Sequence, residues 1–378
     1  MGDLSFLLGA GVSLPAQIPT TAEITKYLLS GQGVQYSRAG KFVVQQAVAH
    51  DPTVQEVLTF LQLIKKSTTG FYQERGLNYE DLYYLAAQIR DFTTEDNNPV
   101  VSCFVRELIA AQKQPQGSFS PAPMIRLAGL ATNYIIDLLA FLLAKDTPKL
   151  DYLAVLKKAI NASGWQRVNF FSLNHDLVLE RYFRQEEINY CDGFGRGEDR
   201  LRPWQPELFL TADRVNLLKL HGSVNWYHFS PLTATGQCRR DFFGCVGFLK
   251  DKKAVLGYND ITDRPLILTG RTNKILEYNR SIYVDLHYYF YRLLPRTELL
   301  IISGYSFGDR GINSWLINWL QSAANKRIVL LGPTPEQTIE QAPAGIRNNW
   351  PKWQAAARVV HYPAAIEAAD WSEILSLV

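Results

Sequence analysis

Cysteine is scarce in this sequence, which has four cysteines in 378 residues and no Cys-x-x-Cys pair. Cys103 and Cys191 are isolated, and only Cys238 and Cys245 lie close together, with His228 nearby. Structural zinc is held by four ligands in a closed tetrahedron, and two thiolates do not complete such a site. We therefore expect no metal.

Net charge and long apolar runs are also lacking. A formal charge of +3 gives no strong attraction to nucleic acids or membranes. No apolar run approaches the roughly 20 residues of a membrane-spanning helix, and the N-terminus has no basic flank or cleavage site of a secretory signal. We expect a cytoplasmic protein that binds neither nucleic acid directly nor a membrane.

What the sequence does have is a set of short continuous apolar runs, at 168–172, 265–269, 298–303 and 326–331 among others. Such runs are typical of parallel strands covered on both faces, and helical stretches at 282–294 and 312–324 supply crossovers. They predict an α/β fold with a doubly wound, Rossmann-like parallel sheet. Apolar residues at three-and-four spacing predict a helical insertion module.

This pattern divides the chain into the parts of one domain, 1–378. The predicted core is formed by 1–35 and 165–335, the helical insertion by 38–164, and a C-terminal extension by 336–378. The extension contains a strand at 358–362 and a helix near Trp371. It is too short for a separate sensor domain.

The first apolar run turns at once into glycines, and a polar segment follows. The residues are Gly9, Ala10, Gly11, Val12 and Ser13, then Pro19 and Thr20. A buried strand that turns through glycines into a helix is a common way to present N–H groups to a phosphate. The full G-x-G-x-x-G spacing is absent, so a turn needed only for packing stays open as an alternative. Thr20 and Glu23 have capping-box spacing, which predicts a helix from Thr20 or Thr21.

Two later runs also end in polar residues: Asn174-His175-Asp176 follows the first, and His221-Gly222 follows the second. In open α/β sheets, ligands bind at the carboxyl ends of parallel strands, so these segments should converge with the glycine turn on one crevice. Alternatives remain for each. Asn174 and Asp176 could cap the next helix, and His221 could be a hydrogen-bonded core histidine.

A fourth segment reads Gly304-Tyr305-Ser306-Phe307-Gly308-Asp309. The four motifs in this order resemble the sirtuin family, in particular its prokaryotic NAD-hydrolysing branch. The sequence departs from the deacetylating sirtuins, which carry two Cys-x-x-Cys pairs between the His-Gly and Gly-x-Ser motifs. This departure weakens a deacetylase interpretation.

The resemblance implies NAD+ as substrate and a role for each motif. Asn174 would orient the attacking water and the ribose, and His221 would act as general base, on water directly or through a ribose hydroxyl. Asp176 would bind the nicotinamide carboxamide. The remaining binding residues implied are Gly9, Ala10, Gly11 and Ser13 around the diphosphate, with Pro19, Thr20 and Gly222, and Gly304 and Ser306 at the adenosine ribose.

The resemblance also implies a function. The favoured hypothesis is an NAD+ glycohydrolase that releases nicotinamide and ADP-ribose as the effector of a bacterial antiphage, abortive-infection system. Control would come from homo-oligomerisation or from a partner, such as a ring-forming DNA-translocating ATPase or a short Argonaute-type protein. One alternative is a protein deacylase or ADP-ribosyltransferase. Another is a sensing subunit that binds NAD or ADP-ribose without cleaving it, although such a subunit would need neither Asn174 nor His221.

Overall fold

The structure is a computed structural model that describes the following residues: 2–45, 51–71, 76–91, 99–111, 121–147, 149–196, 201–211, 214–231, 242–247, 258–260, 264–270, 278–279 and 281–378. Cys238 lies outside them.

The strands, in chain order, are β1 (Asp3–Leu8), β2 (Val34–Tyr36), β3 (Phe42–Val44), β4 (Val168–Ser172), β5 (Leu201–Pro203), β6 (Val215–Lys219), β7 (Trp226–Pro231), β8 (Phe242–Val246), β9 (Tyr258–Asp260), β10 (Thr297–Ser303), β11 (Arg327–Leu331) and β12 (Val359–Tyr362).

The helices are α1 (Thr21–Ser30), α2 (Pro52–Thr68), α3 (Tyr79–Arg90), α4 (Pro99–Ala111), α5 (Pro121–Leu143), α6 (Ala154–Asn161), α7 (Val178–Gln185), α8 (Leu208–Thr211), α9 (Ser281–Leu293), α10 (Arg310–Ser322), α11 (Pro335–Glu340), α12 (Ala344–Arg347), α13 (Trp350–Ala355) and α14 (Trp371–Ser376). Short 3-10 turns cover Ala10–Ser13, Thr69–Phe71, Asp151–Leu153, Leu294–Arg296 and Ile366–Ala368.

The main sheet has six parallel strands in the order β12-β11-β10-β1-β4-β6. From β1, the chain adds β4 and β6 on one side and then β10, β11 and β12 on the other. The topological switch point therefore lies between β1 and β10, where ligands bind in doubly wound folds. The predicted α/β, Rossmann-like parallel sheet is confirmed.

Both faces of the sheet are covered, which explains why its strands are mostly apolar. On one face, Phe6 of β1 stacks on Phe170 of β4 with ring centroids 5.0 Å apart, and Trp371 of α14 packs against Phe6. On the other face, Phe171 meets Phe290 of α9 edge-on at 4.7 Å. Each such buried aromatic side chain stabilises the fold by about 1.5–3 kcal/mol. The sheet is therefore a rigid support for the residues at its edge.

The segment 265–269 is not a strand of this sheet, and that prediction was wrong. Ile267 forms only an isolated antiparallel bridge with Gly222, and the Leu268 N–H donates to the His221 carbonyl at 2.8 Å. Pro265 has no N–H to donate to a ladder, so the segment pairs with the turn after β6 instead. The strands β5, β8, β7 and β9 form a separate antiparallel sheet in that order.

The chain divides into two compact units. The first comprises 1–18, 143–268 and 274–378 and holds the main sheet; the second comprises 19–142 and 269–273 and holds α1 to α5 and the β2-β3 hairpin. The predicted capping box of α1 is confirmed, because the Glu23 N–H donates to Thr20 Oγ1 and the Thr20 N–H donates to Glu23 Oε2. The limits 38–164 for the insertion stay a prediction.

Helix α5 corrects the expectation that no apolar run reaches the length of a membrane span. Within the described part of the chain, its segment 123–143 is long enough and apolar enough to cross a membrane, judged by length and composition alone. Half of that stretch is buried, with Ile135, Leu138 and Leu139 inside the helical unit. A buried core helix of this composition satisfies the same criteria, so this is weak evidence for a membrane span.

Candidate active site

Four neighbouring strands deliver the polar motifs to one edge of the sheet. β1 leads into Gly9, β4 into Asn174, β6 into His221 and β10 into Gly304, and the order β10-β1-β4-β6 makes these strands adjacent. Because all are parallel, their carboxyl ends meet at the same edge. The predicted convergence of these motifs is confirmed.

Asn174 is tied to the glycine turn through its side-chain amide. Its Nδ2 donates to the Gly9 carbonyl at 3.0 Å and to Ser13 Oγ at 3.1 Å. These bonds use both N–H groups of the amide and fix its orientation. Asn174 Oδ1 accepts no bond from any residue that the structure describes, so this acceptor is available to a ligand.

Asp176 continues the same hydrogen-bond chain. Ser13 Oγ donates to Asp176 Oδ2 at 2.8 Å, while the Val178 N–H at the start of α7 donates to Oδ1 at 3.0 Å. Asp176 thus accepts the first N–H of α7, as the capping alternative proposed, although the N-cap residue of the helix is Leu177. A carboxylate has four acceptor positions, so these two bonds leave capacity to bind a carboxamide N–H.

His221 is almost completely buried, with 3% of its surface exposed. Its Nε2 lies 2.9 Å from Asp309 Oδ2, and its Nδ1 lies 3.2 Å from the Leu173 carbonyl. A carboxylate at Nε2 favours a proton on that nitrogen. In the neutral ring Nδ1 then carries the lone pair, and its contact with the Leu173 carbonyl is not a hydrogen bond, because a carbonyl oxygen only accepts. That contact becomes a hydrogen bond when the ring is charged and Nδ1 also carries a proton.

Asp309 is the residue that sequence reasoning missed, although it stands inside a motif that was singled out. Its Oδ1 accepts the N–H groups of Gly311 and Ile312 and so caps α10, while its Oδ2 accepts from His221 and from the Tyr278 hydroxyl at 2.6 Å. Burial and the neighbouring Asp309 carboxylate raise the pKa of Tyr278. The phenol thus keeps its proton and acts as a donor.

The loop that carries Asp309 is held in an unusual conformation. Phe307 has φ +57°, in the left-handed region that a bulky side chain rarely adopts. Asn313 Nδ2 donates to the Phe307 carbonyl at 2.7 Å, and the Tyr305 hydroxyl donates to Asn313 Oδ1 at 2.9 Å. This strain, held by buried hydrogen bonds, directs the Asp309 carboxylate toward His221.

The glycines of two motifs allow two backbones to approach each other. The Gly9 N–H donates to the Ser303 carbonyl and the Gly11 N–H to the Gly304 carbonyl, both at 3.0 Å. A Cβ on Gly11 would lie 2.6 Å from the Gly304 Cα, and Gly304 itself has φ +65°. These glycines therefore do serve the close packing of the two backbones, which is the alternative that the sequence left open. A phosphate would have to use other groups of this turn.

A cavity of about 320 Å³ opens beside these glycines. Gly11, Gly304 and Ser306 line it on one side, and Leu330, Ile366 and Glu367 are among the lining residues from β11 onward. Glu367 is the one charged residue among the described lining residues. The cavity lies at the switch point of the sheet and suits a largely apolar, uncharged group.

The remaining predicted residues are placed as follows. Gly222 forms the turn after His221 at φ +79°, and Ala10 is exposed at the start of the first 3-10 turn. Pro19 and Thr20 belong to the second unit, where Thr20 caps α1.

Within the described residues, no cluster of three His, Cys, Asp or Glu side chains is placed to hold a metal ion. Burial raises the pKa of the Cys245 thiol to about 12, so this thiol stays protonated.

Comparison with protein families adds a decisive observation, because residues 168–355 match the model of the SIR2-like domain. The protein belongs to the sirtuin-like family. The matched region includes Asn174, Asp176, His221 and Asp309, and membership indicates an NAD-related function.

Two solved structures are similar to this sirtuin-like chain. One is described as "The Structural basis of Sirtuin Substrate Affinity" and is 12% identical, with 100% of this chain and 93% of the other covered at a TM-score of 0.35. The other is described as "Structure of Sir2Tm bound to a propionylated peptide" and is 14% identical, with 97% and 89% covered at a TM-score of 0.34. A comparison with curated proteins gave no match.

Proposed function

We propose that this protein is an NAD+ glycohydrolase that converts NAD+ and water to nicotinamide and ADP-ribose. The observation that supports the proposal most is one arrangement of groups at the sheet edge. Asn174 presents a free acceptor, Asp176 a buried carboxylate, and His221 an imidazole held by Asp309. A protein that only binds a nucleotide needs no carboxylate-imidazole pair.

In this proposal the cavity beside Gly304 and Ser306 receives the adenosine part of NAD+. The diphosphate lies along the turn from Ala10 to Ser13, with Pro19, Thr20 and Gly222 as further proposed contacts. The carboxamide of the nicotinamide donates to Asp176. The substrate is then held at both ends, which restricts the motion of the bond to be broken.

The reaction breaks the bond between C1′ of the ribose and the nicotinamide nitrogen. The bonding electron pair goes to the pyridinium nitrogen, so nicotinamide leaves neutral and positive charge develops on the sugar. Water, oriented by Asn174 Oδ1, forms the new bond to C1′. Its proton passes to His221, directly or through a ribose hydroxyl.

Asp309 determines which nitrogen of His221 acts as the base. Since its carboxylate holds the proton on Nε2, the proton acceptor is Nδ1, which exchanges its 3.2 Å contact with the Leu173 carbonyl for the substrate. The carboxylate then stabilises the imidazolium that forms, as a buried Asp does for a catalytic histidine in general.

The resemblance extends the proposal to the biological role. We infer an effector of a bacterial antiphage, abortive-infection system that acts in the cytoplasm and depletes NAD+ in infected cells. Constant activity would kill the host, so control by a homo-oligomer or by a partner protein follows. Co-expression with genomic neighbours tests this part, because the protein should then protect a culture from phage and lose that protection on Asn174→Ala.

The direct test is NAD+ consumption with identification of the products, for the wild type, Asn174→Ala and His221→Ala, each with and without co-expressed neighbours. Asn348→Ala is the control, since this exposed asparagine lies on the turn after α12. Nicotinamide and ADP-ribose from the wild type and the control, but from neither site variant, support the proposal. Turnover only with an acylated or acceptor protein would favour deacylation or ADP-ribosyl transfer, and binding without turnover would favour a sensing subunit.

A further inference from the structure

Lys219, the last residue of β6, is an unusual feature because it is a lysine with only 2% of its surface exposed. Burying an ammonium group costs much of its hydration free energy, and it is tolerated only when its donors are satisfied. Nothing in the proposed chemistry uses this side chain directly. Its contacts indicate what it does.

The Lys219 ammonium is surrounded by acceptors. Nζ donates to Ser223 Oγ at 2.7 Å, to Glu180 Oε1 at 2.8 Å and to the Asp176 carbonyl, and the His175 carbonyl lies at 3.5 Å. Burial raises the pKa of the Glu180 carboxyl, and the Lys219 charge opposes that effect. Lys219 therefore forms an ion pair with Glu180 and also donates hydrogen bonds to two loops.

Those two loops carry the proposed reacting groups. The carbonyls of His175 and Asp176 belong to the loop after β4, which also bears Asn174, while Ser223 belongs to the turn that follows His221. The same loops meet through the backbone, where the Val224 N–H donates to the His175 carbonyl at 3.0 Å. Lys219 thus joins the carboxamide-binding loop to the histidine turn from within the protein.

We propose that Lys219 is a positioning residue that fixes Asp176 relative to His221, and so aligns the nicotinamide end of the substrate with the base. This inference rests on the proposed function. It makes a selective prediction, because Lys219 touches none of the residues that line the cavity assigned to adenosine. Its loss should weaken the binding of nicotinamide and leave that of ADP-ribose unchanged.

The variant is Lys219→Met, which keeps the length of the side chain and removes its donors. Lys326→Met is the matched control, because Lys326 is also buried and donates to backbone carbonyls, those of Pro295 and Thr297 at 2.6 Å, at the opposite end of the sheet. Both variants should lower the melting temperature. Only Lys219→Met should change ligand binding at the proposed site.

Calorimetric titration with nicotinamide and with ADP-ribose is the main measurement. For Lys219→Met we expect nicotinamide affinity and kcat to fall by about tenfold or more, as loss of hydrogen bonds to a charged group implies. ADP-ribose affinity should stay within about twofold, and both affinities should stay at wild-type level in Lys326→Met. If Lys219→Met does not fold, Ser223→Ala removes one contact and should show the same selectivity with a smaller loss.

Parallel losses of both affinities, or an equal effect of Lys326→Met, would overturn the proposal. Deuterium uptake gives a second readout that needs no ligand: uptake at 173–176 and 221–224 should rise in Lys219→Met and not in Lys326→Met. Unchanged uptake there would also refute it. A wild-type protein that binds neither ligand and leaves NAD+ intact would instead refute the proposed function, while the exchange experiment still decides whether Lys219 holds the two loops.

Discussion

Asp309→Asn is the most informative single substitution, because it changes the chemistry of the carboxylate while keeping its shape. The asparagine oxygen can still accept from the Gly311 and Ile312 N–H groups, and Asn and Asp are comparable caps. Where Oδ2 now accepts from His221, an NH₂ group would donate instead. The same NH₂ group would face the Tyr278 hydroxyl, which now donates to Oδ2 and would have to accept instead. The α10 cap is kept, so the variant should fold, with a loss of stability set by the Tyr278 contact.

The consequence for His221 is a change of tautomer. With a donor opposite Nε2, that nitrogen must carry the lone pair, and the proton moves to Nδ1, where the Leu173 carbonyl lies 3.2 Å away to accept it. Neither nitrogen is then free to take a proton from the substrate. The variant also loses the negative charge that would stabilise the imidazolium.

The magnitude follows from the interaction that is lost. A hydrogen bond to an ionised group contributes about 1.5–3 kcal/mol, which corresponds to roughly 10- to 150-fold in rate. We expect kcat for the proposed NAD+ hydrolysis to fall by that factor with little change in KM, because Asp309 does not line the cavity assigned to adenosine. Nitrogen-15 shifts of the imidazole should report the change from a proton on Nε2 to one on Nδ1.

Asp285→Asn is the control, since this carboxylate accepts from the Trp204 indole at 2.9 Å and touches neither His221 nor the cavity. It should leave kcat unchanged. A folded Asp309→Asn protein whose kcat stays within about twofold of wild type would refute the reasoning, because His221 would then not need the carboxylate.

Three further predictions follow from the geometry. Gly304→Ala should lower the free energy of unfolding, measured by urea titration, by on the order of 2 kcal/mol. Gly304 has φ +65°, and a Cβ there would lie 2.5 Å from the Val12 nitrogen. Gly332→Ala is the control, because a Cβ on Gly332 would have nothing within 4 Å. Burial lowers the pKa of His287 from 6.5 to about 3, so the unfolded chain takes up a proton between these values and the folded protein does not. The free energy of unfolding should therefore fall as pH drops below 6.5, and this residue should account for about 1.4 kcal/mol of the loss at pH 5.5. His287→Phe should reduce that pH dependence. An unchanged slope of unfolding free energy against pH would contradict the burial argument. Glu367 lines the cavity, and the described lining residues include no cation to balance the extra phosphate charge of NADP+. NADP+ should therefore bind several-fold more weakly than NAD+, and Glu367→Gln should reduce this difference in affinity. Equal affinities for the two nucleotides in the wild type would contradict the prediction.

The sequence predicted the sheet and the strand-end residues because both depend on local pattern. Continuous apolar runs identify strands covered on both faces, and a polar residue directly after such a run must lie at the sheet edge. The pairing of His221 with Asp309 could not be found in this way, since the two are 88 residues apart and no local pattern links them. Lys219 was given no role from the sequence, because its partner Glu180 is 39 residues away and no local pattern links the two.

The site and the fold share the same atoms, which affects how variants should be interpreted. Asp309 uses one oxygen to cap α10 and the other to hold His221, and Asp176 divides its oxygens between α7 and Ser13. Carboxylates held in this way need no reorganisation when a ligand arrives, which favours the charge that develops during bond cleavage. An alanine substitution would remove both tasks at once and confuse loss of activity with loss of a helix cap. Asparagine substitutions keep these backbone contacts, and they are therefore the ones that isolate the contribution of each carboxylate to the proposed cleavage of NAD+.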